Sequence, residues 1–252
     1  MVEMTNSVGT IKDIYSSEGR TTLLVSMVSL CIITPVLFTQ YLEPIRTIFP
    51  IVALTGIILI RRGIPSFIPT WIVFNAFSCY FMIYAGYSFG TQFSTKLLLA
   101  FLVGMTIYDM IGVSGGQMQS MATRMINYGV PIFVLVPHSR SFSFEEFRNI
   151  IKEDGLEALH ESDHGISMLG IGDGFLPGAL AVSAGAWGTT MELGLIEITP
   201  PQIGAAVGGI ISLMILMWAE LPRAIPALIM SVPGAIIGLG IGYGVDMILF
   251  TV

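Results

Sequence analysis

The chain has 252 residues, of which 54% are hydrophobic and only 11% charged, with a mean hydropathy of +0.81. Soluble domains carry about 25% charged residues, so a water-solvated globule is excluded. The formal net charge of −6 comes with no basic stripe, which excludes nucleic acid as a partner. The apolar stretches are continuous instead of alternating, which excludes a β-barrel and leaves an all-α polytopic membrane protein.

Residues 1–20 are polar and hold no short apolar core or small-residue cleavage site, so the first span is expected to serve as its own insertion signal. A helix crosses a bilayer with about 20 apolar residues, and seven such runs follow one another: 22–42 (with Pro35 as a kink), 47–60, 67–87, 95–113, 166–187, 201–219 and 224–250. Trp71, Tyr80, Tyr84 and Tyr87 in the third are placed to anchor in part at membrane interfaces. Cys31 and Cys79 sit inside apolar runs without metal-type spacing and read as small packing residues.

With seven spans, nine of the eleven basic residues fall on one side: Lys12, Arg20, Arg61, Arg62, Arg124, Arg140, Arg148, Lys152 and Arg223. Arg46 and Lys96 fall on the other. The positive-inside rule then puts the N-terminus and the long 114–164 loop in the cytoplasm. Within that loop, 127–137 (NYGVPIFVLVP) is too short to span and rich in Val and Ile, and reads as a short β-strand at the membrane edge. The acidic stretch 144–164 reads as a solvated connector, with His138, His160 and His164 on the surface.

Ionisable groups inside spans are costly and therefore informative. Three acids fall well inside apolar runs: Asp109 after Tyr108, Asp173 after Gly170 and Gly172, and Asp246 near the end of the last span. Asp246 is close enough to an interface to be a packing acid. Asp109 and Asp173 lie on different spans. Two carboxylates a few ångström apart in a poorly solvated site hold one proton between them. The ionised member can activate a water while the protonated member donates to a carbonyl. The glycines beside Asp173 leave room for a peptide backbone and a water. The same acids would also suit a cation pathway, and from the residues alone both chemistries stay open. Pro222, Pro226 and Pro233 open the last span, and they favour an unwound segment around 225–228, with free backbone groups lining a site.

Tyr108-Asp109, Gly170-Ile171-Gly172-Asp173 and Pro226-Ala227-Leu228 resemble the YD, GxGD and PAL motifs of the presenilin and signal peptide peptidase family, in the same order on successive late spans. DMIGV, GVPIFVLVP and GIGDGFLPGALAVSA are most similar to the archaeal presenilin-type members, and the resemblance covers about residues 98–245. It implies peptide-bond hydrolysis within the bilayer by Asp109 and Asp173. Tyr108, Gly170 and Gly172 would support the pair, and Pro226, Ala227 and Leu228 would form the floor and a substrate-docking edge. It implies single-span membrane proteins as substrates, with their N-termini outside, and no metal or other cofactor. It divides the chain into a polar tail (1–20), N-terminal helices (21–90) and a catalytic core (91–252). The family pattern has nine spans, and residues 88–94 stand where two further helices would be. An even deletion preserves the sidedness of everything downstream.

Other membrane proteases fit badly. There is no HExxH for a zinc site. A Ser–His dyad would need an intramembrane histidine, so Ser114 reads as a span-end residue. Prepilin peptidases share GxGD, but here Gly174-Phe175-Leu176-Pro177-Gly178 replaces their lysine-containing continuation. The alternative from another class is a non-proteolytic ion or proton pathway, or a scaffold, built on the same acids.

Overall fold

The computed structural model describes residues 16–62, 70–114, 132–139, 166–219 and 227–250, with isolated positions between 124 and 149. Among the described residues seven helices order the chain: α1 (Ser17–Leu37), α2 (Thr39–Arg62), α3 (Thr70–Gln92), α4 (Thr95–Ser114), α5 (Ile171–Ser183), α6 (Pro200–Trp218) and α7 (Leu228–Phe250). Between α4 and α5 come two strands, β1 (Phe133–Pro137) and β2 (Ile166–Gly170). Between α5 and α6 lie a 3-10 turn (Ala184–Trp187) and the hairpin β3 (Met191–Leu193) and β4 (Ile196–Ile198). Among the described residues five helices are long and apolar enough to cross a bilayer: α1, α3, α4 over Thr95–Gly112, α6 and α7. The chain is a polytopic helical membrane protein.

The helix boundaries follow from local chemistry. Ser16 caps α1 by accepting the Gly19 N–H over 3.1 Å, with Glu18 in the first turn facing the positive end of the helix dipole. Pro35 falls in the last turn of α1, so its missing donor ends the helix near Leu37 instead of kinking its middle. Thr199 caps α6 in a reciprocal box, with its hydroxyl taking the Gln202 N–H and Gln202 Oε1 taking the Thr199 N–H over 2.9 Å. Pro200 follows at the first helical position, where it needs no donor.

The fifth apolar run is not the single 166–187 span expected. Its first five residues are strand β2, and the helix proper has only 13 residues. That length is tolerable because α5 lies in the middle of the bundle, touching α1, α3, α4, α6 and α7, and needs no lipid-facing stripe. Small residues allow the close approach. A Cβ on Gly178 would sit 3.6 Å from the Ile32 Cα, and one on Gly86 3.4 Å from the Phe175 carbonyl oxygen.

The strand expected in the long loop is present as β1, and it has a partner. β1 pairs antiparallel with β2, from Phe133↔Gly170 to Pro137↔Ile166, and Val134, Leu135 and Val136 are buried. Cys31 and Cys79 are free thiols packed between α1 and α3, with the Cys31 thiol facing the Cys79 carbonyl at 3.8 Å. Tyr87, expected in part as an interface anchor, is buried, and its hydroxyl donates to Glu43 Oε2. The acidic stretch of the loop, with His160 and His164, lies outside the described residues. His138 is half-buried, with its ring nitrogen 3.2 Å from Ser167 Oγ.

Candidate active site

Asp109 lies near the C-terminal end of α4 and is buried, 5% exposed in a helix whose neighbouring side chains face lipid. Tyr108 beside it is half exposed and points out of the bundle, as do Met110 and Ile111. Helical geometry explains the split: one residue of rotation is 100°, so adjacent positions cannot share a face. Tyr108 is therefore not brought to the interior with Asp109.

Asp173 is the third residue of α5 and half-buried. Gly170 ends β2 and is the N-cap of α5, in extended conformation. A carboxylate at the third helical position reaches back to the N-cap amide, and the Gly170 N–H donates to Asp173. A Cβ on Gly170 would stand 3.1 Å from Asp173 Oδ2, whereas one on Gly172 would meet nothing within 4 Å. One glycine thus makes room for the carboxylate itself. The other leaves open space beside it.

Asp109 and Asp173 come together: their carboxyl groups are near enough to interact electrostatically, although they arrive on different helices. α7 packs on both α4 and α5. Its entry, Ala227 and Leu228, is buried, and the Ala227 carbonyl accepts the N–H groups of Met230 and Ser231 at 3.1 and 2.9 Å. Leu228, expected in the unwound segment 225–228, is instead helical. Ile225 and Pro226 lie outside the described residues. Asp246 is far along α7 and serves packing, accepting the Thr189 N–H over 2.8 Å. Two cavities flanking Gly185, of about 250 and 420 Å³, are lined by neither Asp109 nor Asp173.

Two residues escaped sequence reasoning. Asn75 and Ser78 of α3 are buried, and their side chains hydrogen-bond the outer edge of β1 at Leu135 and Phe133. The available signal was two polar side chains one helical turn apart in an otherwise apolar span. Because Leu135 turns its backbone groups toward α3, its partner Met168 turns its own away from β1. Among the described residues no further strand lies on that edge of β2.

Among the described residues no group of three His, Cys, Asp or Glu side chains is arranged to hold a metal ion. The site offers paired acids, a strand edge and open space beside a glycine. No curated protein and no solved structure matches the chain significantly. A family model described as signal-peptide peptidase, presenilin aspartyl protease matches residues 8–248. With that match running almost end to end, and with paired interior aspartates on α4 and α5, the chain belongs to the signal-peptide peptidase and presenilin aspartyl protease family.

Proposed function

We propose that the protein is an intramembrane endopeptidase in which Asp109 and Asp173 together activate water. The observation that carries this reading is that two carboxyl groups on separate helices of an apolar bundle lie within electrostatic reach of each other. Two such groups cannot both ionise cheaply, so they share a proton. The ionised acid takes a proton from a water as that water attacks the substrate carbonyl carbon. The protonated acid donates to the carbonyl oxygen, and collapse of the tetrahedral intermediate returns a proton to the leaving nitrogen.

A transmembrane helix hides its backbone in its own hydrogen bonds, so a substrate must be extended to be cut. An extended segment at membrane depth needs partners for its freed groups. The open edge of β2 offers them by strand addition, and it ends three residues before Asp173. In this reading Pro226, Ala227 and Leu228 form the floor of the site, with Gly170 and Gly172 leaving space for carboxylate, water and peptide. Tyr108 faces lipid at the site's rim. Substrates are single-span membrane proteins with their N-termini outside, and the N-terminus and long loop of the enzyme are cytoplasmic, as the basic residues favour.

The test is cleavage of a model single-span substrate by the purified protein. Cleavage should be lost in both Asp109→Ala and Asp173→Ala, and hydroxyl-bearing transition-state mimics of aspartyl proteases should inhibit the parent. Variants that cut like the parent would end the assignment. Ion flux sensitive to either substitution, with no cleavage by the parent, would favour a pathway protein.

A further inference from the structure

The strand that leads into Asp173 is itself held by a neighbour, and the neighbour is fastened by side chains. Asn75 and Ser78 are 3% and 0% exposed on α3. Asn75 Nδ2 donates to the Leu135 carbonyl over 2.6 Å, while its Oδ1 accepts the Leu135 N–H over 2.8 Å. Ser78 Oγ donates to the Phe133 carbonyl over 2.5 Å. A carboxamide that gives and takes at a single residue supplies what an adjoining strand would supply there.

β1 is also held against the helices by apolar burial of Val134, Leu135 and Val136. Apolar burial is non-directional, so it keeps the strand inside without setting its position along α3. The directional bonds set that position. β1 passes it to β2 through five registered pairs and to the start of α5 through the Ile171 N–H, which donates to Ile132 O over 3.0 Å. Asp173 follows two residues later.

We infer that Asn75, assisted by Ser78, is a positioning residue for Asp173: it fixes the β1–β2 hairpin against α3 and so sets where the Asp173 carboxyl meets Asp109. By occupying the outer edge of β1, it also leaves β2 as the edge open to an added strand. This inference rests on the catalytic pair proposed above, and Asn75 itself touches neither acid.

Asn75→Leu conserves shape and removes both bonds. A misplacement of about 1 Å can cost about 100-fold in rate, so kcat per folded molecule should fall at least about tenfold while KM moves less than about threefold. Affinity for a hydroxyl-bearing transition-state mimic should fall in parallel with kcat, and amide exchange should quicken across residues 133–137 and 166–170. Ser78→Ala, a smaller change that keeps the fold if Asn75→Leu does not, should shift the same readouts in the same direction by about threefold. A parent that cleaves and binds the mimic, with variants that keep its kcat or leave strand exchange unchanged, overturns the inference alone. A parent that does neither overturns the catalytic reading and this inference with it.

Discussion

Thr95 Oγ1 donates to the carbonyl oxygen of Ser183 over 2.8 Å, with both residues buried. This bond ties the first turn of α4 to the last residue of α5, the two helices that carry Asp109 and Asp173. At 1.5 Å per residue it lies about 21 Å along α4 from one acid and about 15 Å along α5 from the other. The two helices are thus tied at the end remote from the carboxyl groups, and a small shift there is magnified at the acids. Thr95→Val should cost about 1 kcal/mol of stability and lower kcat more than that loss explains, while Thr95→Ser should restore both. Thermal unfolding in detergent and single-turnover cleavage are the measurements.

The glycines around Asp173 separate into three physical roles, and alanine at each should behave differently. At Gly170 the new Cβ would stand 3.1 Å from Asp173 Oδ2, so the carboxylate must shift by a few tenths of an ångström. Activity should fall about tenfold or more with little loss of stability. At Gly174 the Cβ would come within 2.5 Å of Met82 Sδ and 2.9 Å of Val28 Cγ1, and overpacking of this kind costs about 1–3 kcal/mol. At Gly172 the space is empty, so the folded protein should be unharmed or slightly stabilised. There a raised KM would mark the gap as substrate space. An unchanged KM at Gly172→Ala would show that no peptide passes there.

Asp246 provides an internal control for the meaning of a buried acid. It is 8% exposed and accepts the Thr189 N–H, which fastens the segment after the 3-10 turn to α7. An amide oxygen can take the same bond, so Asp246→Asn should cleave like the parent. Asp246→Ala removes the acceptor of the exposed Thr189 N–H and should lose about 0.5–1.5 kcal/mol of stability, with activity per folded molecule unchanged. A loss of cleavage in Asp246→Asn would place a third acid in the chemistry.

The helices were legible because membrane burial writes itself into composition: every apolar run but the fifth became one helix, although the helix of the 47–60 run starts earlier, at Thr39, and the fifth became a strand followed by a shorter helix. Asp109 and Asp173 were legible for the same reason, as charges where charge is costly. The strand at 133–137 showed in its Val and Ile content. Its partner did not, because ISMLG runs without a break into the apolar stretch after it, and pairing with a segment some thirty residues earlier leaves no local trace. Asn75 was hidden differently. A single neutral amide in an apolar span carries no charge to flag it, and its importance lies in a backbone edge that only the fold brings near. The outward turn of Tyr108 follows from helical rotation but needs the bundle to say which side is inside.

The glycines at 204, 208, 234, 238 and 242 lie where α6 and α7 meet. The contact is reciprocal. A Cβ on Gly238 would strike the Gly204 carbonyl and lie 3.0 Å from the Gly208 Cα, while one on Gly204 would strike the Gly238 carbonyl. Because the obstacle is backbone on both sides, no rotamer change can relieve it, and the helices must separate. Gly238→Ala should therefore cost about 3 kcal/mol, the upper end for overpacking. Gly240, two residues away on the same helix, is exposed with nothing within 4 Å of its Cβ position. Gly240→Ala should be neutral or stabilise by up to about 1 kcal/mol, since alanine is the better helix former. Denaturant titration of the two variants in the same micelle measures the difference. Equal stabilities would mean that α6 and α7 do not pack at this distance in the membrane.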